Sequence, residues 1–182
     1  MTRSLLACAV VALAPACVIG GGEQTHRFED LEGIFIELGS GDVDVWGEEG
    51  RERTTEVQLD LGGIGRDTAR GTLTVGADGW LHVDARGGPF GGGDIEARVP
   101  AGLPVEVIVA RGDIDIVADR GADLYACAAA GSVYLEVPGG GYQLDLDGGA
   151  GAIDTHGVWH DAGAEHTIHG CFGAGDVEVV GR

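Results

Sequence analysis

The chain has 182 residues, and its 30 Asp and Glu residues against 11 Lys and Arg residues give a formal net charge of −19 at pH 7. All of the basic residues are arginine, which excludes lysine-based phosphate loops and Schiff-base catalysis. A surface this acidic repels phosphate backbones, so we expect no nucleic-acid partner. Hydrophobic residues make up 44% of the chain, enough for a packed core, and the acidity therefore does not indicate disorder.

Residues 1–16 have the features of a signal peptide. Arg3 supplies a positive start, Ser4 to Leu13 form a short apolar run, and the small residues Ala14-Pro15-Ala16 form a cleavage site. The apolar run is too short to span a bilayer. We predict that residues 1–16 are removed.

Cys17 follows the predicted cleavage site directly. This resembles the leader of bacterial lipoproteins, whose new N-terminal cysteine is lipid-modified, although Leu13 stands four residues before the cysteine where that family prefers three. The resemblance implies a lipid anchor at Cys17, on the outer membrane or the periplasmic face of a bacterial envelope. Secretion without a lipid is the alternative. Residues 17–27 are predicted to be a glycine-rich tether and residues 28–182 a β-repeat domain.

From Phe28 onward, apolar and polar residues alternate with period two, which predicts strands. The N-terminal part is expected to be an antiparallel strand region, with a hairpin turn at 76–79. Its predicted strands are 34–38, a strand starting at Val43, 54–61, 72–75 and 80–85.

A phrase of glycine, aspartate and alternating β-branched residues recurs along the chain. It begins at Gly41, Gly93, Gly112 and Gly175, with degenerate copies at Gly131 and Gly151, and the intervals from Gly93 onward are 19, 19, 20 and 24 residues. A period of this size indicates stacked repeats. We predict an all-β, repeat-built β-solenoid, similar to a β-helix, with rungs of about 20 residues. The expected inward columns are Ile95, Ile114, Val133, Ile153 and Val177; Ala97, Ile116, Leu135, Thr155 and Val179; and Val105, Leu124, Leu144 and Ile168.

The stretch from Arg98 to Val107, leading into 110–116 and a ladder of Gly-x-Val/Ile turns, resembles a bacterial β-strand-repeat family labelled "putative adhesin" and of unknown function. The resemblance covers residues 28–182. It implies a β-helix-like fold and a secreted or membrane-attached protein, and it brings no catalytic residues with it.

Together these features predict a non-catalytic envelope protein with a binding, adhesion or scaffold role, no cofactor and an unknown protein or glycan partner. The acidic residues between the inward columns are expected to form a solvated face. Because the chain ends soon after Val180, we expect an uncovered edge on the last rung that invites self-association. The alternatives are a metal-binding periplasmic protein and, less favoured, a carbohydrate-active β-helix enzyme using carboxylates such as Asp94 and Asp113.

Histidines are dense in the longest repeat interval, at positions 156, 160, 166 and 169. Imidazole and thiolate groups at close spacing are typical zinc or copper ligands, and His166, His169 and Cys171 are the metal candidates that we select. A plain loop insertion explains the same residues without a metal.

The aspartates that follow the repeat glycines have two readings. Acidic, glycine-rich β-repeats can bind calcium, but an aspartate beside a glycine also caps a turn by accepting backbone N–H groups. The turn-capping role is favoured because the carboxylate column is interrupted at Ser132 and Ala152.

Cys127 and Cys171 occupy one outward column in the predicted solenoid, with Asp147 on the rung between them. Two rungs are about 9.6 Å apart, beyond the Cα separation of about 7 Å that a disulfide tolerates. We therefore expect the two cysteines to remain unbridged.

Overall fold

The computed structural model describes residues 17–19, 22–51, 53–63, 70–87 and 91–182. These residues form strands arranged in two sheets, and no helix among them is long and apolar enough to cross a membrane. The predicted signal peptide lies outside the described residues.

Sheet A contains, in spatial order, β1 (Cys17–Ile19), β6 (Arg70–Val75), β7 (Trp80–Arg86), β3 (Gly33–Leu38), β9 (Val105–Val109), β11 (Leu124–Ala130), β16 (Thr167–Ala174), β13 (Gly140–Ala150) and β15 (Val158–His160). Sheet B contains β14 (Ile153–His156), β17 (Val177–Gly181), β12 (Val133–Val137), β10 (Ile114–Ala118), β4 (Val43–Glu48), β8 (Gly91–Pro100), β5 (Thr54–Gly63) and β2 (Gly22–Glu29).

Both sheets are mixed. From β7 to β15 in sheet A, and from β8 to β14 in sheet B, neighbouring strands run parallel. The strands derived from the N-terminal half, β1–β6–β7 and β2–β5–β8, pair antiparallel. The predicted hairpin at 76–79 is confirmed, with the Gly76 N–H donating to the Trp80 carbonyl at 2.8 Å.

The strands form because β-branched and other apolar residues alternate with polar ones, so that one side of each sheet is apolar. Apolar side chains from the inner sides of both sheets form one core, in which Ile36, Leu59 and Leu135 are fully buried. The predicted columns are present in part: Ile114 lies opposite Val133, which lies opposite Val177, and all three are buried. Val43 lies between Ile95 and Ile114, which the prediction placed side by side. The inward positions predicted for Ile153 and Thr155 are wrong, because both residues are exposed on β14.

The predicted β-solenoid is wrong. In a solenoid the rungs follow one another in chain order, but here β16 lies between β11 and β13, and β17 lies between β12 and β14. The antiparallel strands also break the repeat. The result is a pair of open, mixed sheets around a common core, a sandwich-like arrangement.

Glycines explain the recurring phrase. They lie at the crossings, the turns at which the chain passes from a strand of sheet A to the next strand in sheet B. Gly41, Gly112, Gly131 and Gly175 have φ of 122°, 134°, 141° and 146°. A Cβ on Gly112 would overlap the carbonyl oxygen of Gly41, and one on Gly131 would overlap that of Gly112. The crossings therefore stack so closely that side chains are excluded there.

Two expectations about the ends of the molecule change. Within the predicted tether, 17–27, the described residues are strands: β1 pairs with β6, and β2 pairs with β5. At the other end, the last strand, β17, is covered on both sides by β12 and β14. The edges there are β15 in sheet A and β14 in sheet B.

Candidate binding surfaces

The acidic face is the outer side of sheet B, which we define by one row of residues from neighbouring strands: Glu96, Asp44, Asp115, Tyr134, Glu178 and Asp154. Strand order brings these side chains together although they span residues 44–178. Neighbours in the row are about 4.8 Å apart, the spacing of strands in a sheet. The face therefore carries five carboxylates in a line, interrupted only by Tyr134. Glu96, at one end of the line, is ion-paired with Arg98 at 2.9 Å.

The environment of Asp44 and Asp115, at the centre of this row, opposes their ionisation. Partial burial raises the pKa of Asp44, and the charges of Asp115, Asp42 and Glu96 raise it further, with a smaller contribution from Asp94. Partial burial also raises the pKa of Asp115, and the charge of Glu136 adds to it. Uncompensated negative charge is thus concentrated at the centre of the acidic face.

The turn aspartates have the capping role predicted from the sequence. Oδ1 of Asp94, Asp42 and Asp113 accepts the backbone N–H of the next turn, at Asp42, Asp113 and Ser132 respectively, at 3.1, 2.9 and 2.7 Å. Asp176 caps Ala152 in the same way at 2.7 Å. Asp94 and Asp113, considered above as an enzymatic pair, are separated by Asp42, which places them two strand spacings apart rather than on neighbouring strands.

A polar cavity of about 880 Å³ lies beside the strands of the N-terminal region and is lined by three arginines. Each of these arginines is ion-paired: Arg27 with Glu56 at 2.7 Å, Arg51 with Glu48 at 2.9 Å, and Arg53 with Asp30 at 2.6 Å. Their charge is already neutralised, and the cavity is therefore not an anion site.

The prediction that Cys127 and Cys171 stay unbridged is also wrong, because the structure joins them in a disulfide with Cα atoms 4.5 Å apart. They are direct partners on the neighbouring strands β11 and β16. Asp147 does lie opposite Cys171, but on the far side of β16. The error follows from assuming that the rungs stack in chain order.

The structure brings together two of the three metal candidates selected from the sequence. His169 and Cys171 lie together with Cys127, and one ligand atom of each lies within 4.8 Å of the others; we call these three residues the Cys–His cluster. His166 is not among them: its Nδ1 lies 3.9 Å from Oδ1 of Asp123. His160 accepts the Leu144 N–H through Nδ1 at 3.1 Å. Cys127 is the cluster member that spacing along the chain could not reveal, since it is 42 residues before His169.

Neighbours hold the cluster in place. His169 Nδ1 lies 2.8 Å from Oδ2 of Asp145 on β13, and the His169 ring stacks on Tyr125 of β11 with centroids 4.5 Å apart and planes at 2°. Beside it, a groove of about 580 Å³ runs over the disulfide and is also lined by Ile108, Phe172 and Asp147. Neither Tyr125 nor Asp145 was selected from the sequence.

Comparison with known proteins adds little. No protein-family model matches the chain, and no curated protein does. One solved structure matches, described as a "putative cell adhesion protein" from Clostridium sporogenes, with 12% sequence identity, a TM-score of 0.45, and coverage of 88% of this chain and 99% of that one. A match this weak carries no inference about fold or function, and the resemblance to the adhesin family stays a prediction.

Proposed function

We propose that this chain is a non-catalytic binding protein of the bacterial envelope, held by a lipid on Cys17, that uses the acidic face to bind a cationic partner surface. The observation that carries the proposal is the row of five carboxylates on the outer side of one sheet. A lysine- or arginine-rich segment of another protein is the partner chemistry that fits.

Electrostatics support this role. The pKa values of Asp44 and Asp115 are raised, so keeping both ionised at neutral pH costs free energy in the isolated protein. A bound cationic group removes part of that cost and attracts the partner over long range. The row lies on a flat surface rather than converging in a cleft, which favours binding over catalysis.

The position of Cys17 supports the lipid anchor. It begins β1, the outermost strand at one end of sheet A, whereas β15 lies at the opposite end, eight strand spacings or about 38 Å away. A lipid on Cys17 would hold the β1 end at the membrane. The acidic face would then rise away from the bilayer and be accessible to partners in the envelope.

The binding role is tested with the purified protein and immobilised lysine-rich peptide, compared with a neutral peptide of equal length. The variant Asp44→Asn/Asp115→Asn/Glu178→Gln removes three charges from the acidic face, and Glu32→Gln/Glu106→Gln/Glu165→Gln removes three elsewhere. We expect the first variant to lose most of the binding and the second to keep most of it. Equal loss in both variants would mean that only net charge matters and would reject the proposed face.

The lipid anchor is tested separately by the intact mass of protein extracted from bacterial membranes. We expect a chain that begins at an acylated Cys17, and we expect Cys17→Ser to release the protein into the soluble fraction. An unmodified wild-type chain in the soluble fraction would reject the lipid anchor and leave the acidic-face proposal standing as that of a released protein.

A further inference from the structure

The Cys–His cluster has the composition of a zinc site, although its sulfurs are joined. His169 and Cys171 are two residues apart on β16 and therefore point to the same side of sheet A. Cys127 lies directly opposite Cys171 on β11. One ligand atom from each lies within 4.8 Å of the others. Two thiolates and one imidazole are a common zinc ligand set, whereas a disulfide leaves no thiolate to bind a metal.

The imidazole is already oriented for such a role. A carboxylate can only accept a hydrogen bond, so the 2.8 Å contact with Asp145 places the proton of neutral His169 on Nδ1 and leaves the Nε2 lone pair available. Metal-binding histidines are held by carboxylates in this way. Stacking on Tyr125 fixes the plane of the ring.

We propose that reduction of the Cys127–Cys171 disulfide creates a Zn²⁺ site, with Cys127 Sγ, Cys171 Sγ and His169 Nε2 as ligands and Asp145 as the residue that orients His169. The reductant is a dithiol, whose two thiols become a disulfide while two electrons and two protons pass to the cysteine sulfurs. Zn²⁺ then displaces the two thiol protons. Oxidation by a disulfide-bearing partner reverses the exchange and releases the ion.

The distances allow this change with side-chain rotations. Tetrahedral zinc, with Zn–S bonds of about 2.3 Å and Zn–N bonds of about 2.0 Å, needs its ligand atoms roughly 3.5–3.8 Å apart. The cysteine Cα atoms are 4.5 Å apart on paired strands, so both thiolates can reach one ion once the S–S bond is broken. The groove beside the two cysteines leaves room for a water as the fourth ligand.

Access and charge suit a redox-controlled cation site. Both cysteines line the groove of about 580 Å³, and Cys171 is only partly buried, so a dithiol can approach the disulfide from solvent. Asp145 and Asp147 lie opposite His169 and Cys171 on β13. Their carboxylates lower the cost of placing a divalent cation at this position.

The test uses the mature chain and two ions, Zn²⁺ and Co²⁺, each added alone. After reduction by a dithiol and removal of the reductant without air, we expect one Zn²⁺ per chain by metal analysis and a thiolate-to-cobalt charge-transfer band with Co²⁺. The oxidised chain should bind neither ion at this site. Equal Zn²⁺ binding by the oxidised and reduced chains would overturn the proposal, as would a reduced chain that loses its β-sheet circular dichroism without recovering it on Zn²⁺ addition.

Two variants test whether His169 is a zinc ligand or whether the two cysteine thiolates bind the ion alone. We expect His169→Ala and Asp145→Asn each to weaken Zn²⁺ binding by the reduced chain by roughly 10- to 100-fold, the loss typical for metal ligands and the groups that orient them. His156→Ala removes an exposed histidine on β14 and should leave the affinity unchanged. Unchanged affinity in His169→Ala would overturn the assignment of three ligands.

Discussion

At the scale of single residues, Asp44 couples the acidic face to stability. Its pKa in the folded protein is raised above the ordinary value of 3.8, chiefly by burial and then by Asp115. Between 3.8 and the raised value, the folded state holds the proton more tightly than the unfolded chain does. Stability is therefore lost as the pH rises through this window.

We expect Asp44→Asn to raise the melting temperature by about 2 °C at pH 7 and to have almost no effect near pH 3, where Asp44 is protonated in both states. Thermal unfolding followed by circular dichroism measures this, with Glu165→Gln on an exposed loop as the control. His26 acts in the opposite sense. Burial lowers its pKa below 6.5, so the protein loses stability as the pH falls below that value. For this reason the melting temperature of the variant is compared with that of wild type at each pH, rather than the wild-type melting temperature being followed alone. A lower melting temperature for Asp44→Asn than for wild type at pH 7 would contradict this account.

At the scale of elements, the glycine crossings hold the two sheets in register. Gly112 has φ of 134°, and a Cβ there would overlap the Gly41 carbonyl oxygen. We expect Gly112→Ala to destabilise the protein by about 2–3 kcal/mol, a fall in melting temperature of roughly 4–12 °C.

Gly39→Ala is the matched control for this prediction. Gly39 also lies between two strands, directly after β3, but the atom nearest to an added Cβ is 3.8 Å away. We expect its melting temperature to stay within about 1 °C of wild type. Similar melting temperatures for the two variants would show that close stacking of the crossings is not what constrains Gly112.

Periodicity predicts strands and their register well, but not their order. Ile114, Val133 and Val177 present the same apolar side to the core, so each can lie beside any of the others without exposing apolar surface. The repeat pattern therefore could not reveal that β16 is inserted between β11 and β13. The same ambiguity hid the Cys127–Cys171 disulfide and the Tyr125–His169 stack, because both require β16 to lie beside β11. The turn aspartates do accept backbone N–H groups, as predicted, but each N–H belongs to the turn of a neighbouring strand, 19 to 71 residues away in the chain.

At the scale of the whole molecule, the end opposite Cys17 presents two edge strands with exposed apolar side chains. The edge strands β14 and β15 lie there, and each carries a large exposed apolar residue: Ile153, 41% exposed, and Trp159, 60% exposed. Unpaired strand edges are templates for adding another strand. We therefore place the predicted self-association at this end rather than at β17.

A second copy of the chain fits this edge. Antiparallel pairing of two β14 strands about Thr155 sets Asp154 of each copy opposite His156 of the other, while the two β15 strands bring both Trp159 side chains to the interface.

We expect light scattering to show dimers at high protein concentration and Trp159→Ser to weaken dimerisation about tenfold or more, since a buried tryptophan commonly dominates such an interface. Trp46→Ser, on the outer side of β4, should leave the dimer intact. Dimers of unchanged stability in Trp159→Ser would move the interface away from this edge, and a strict monomer at every concentration would exclude self-association. If the dimer forms, it joins two chains at the ends distant from Cys17, about 38 Å from each β1 strand.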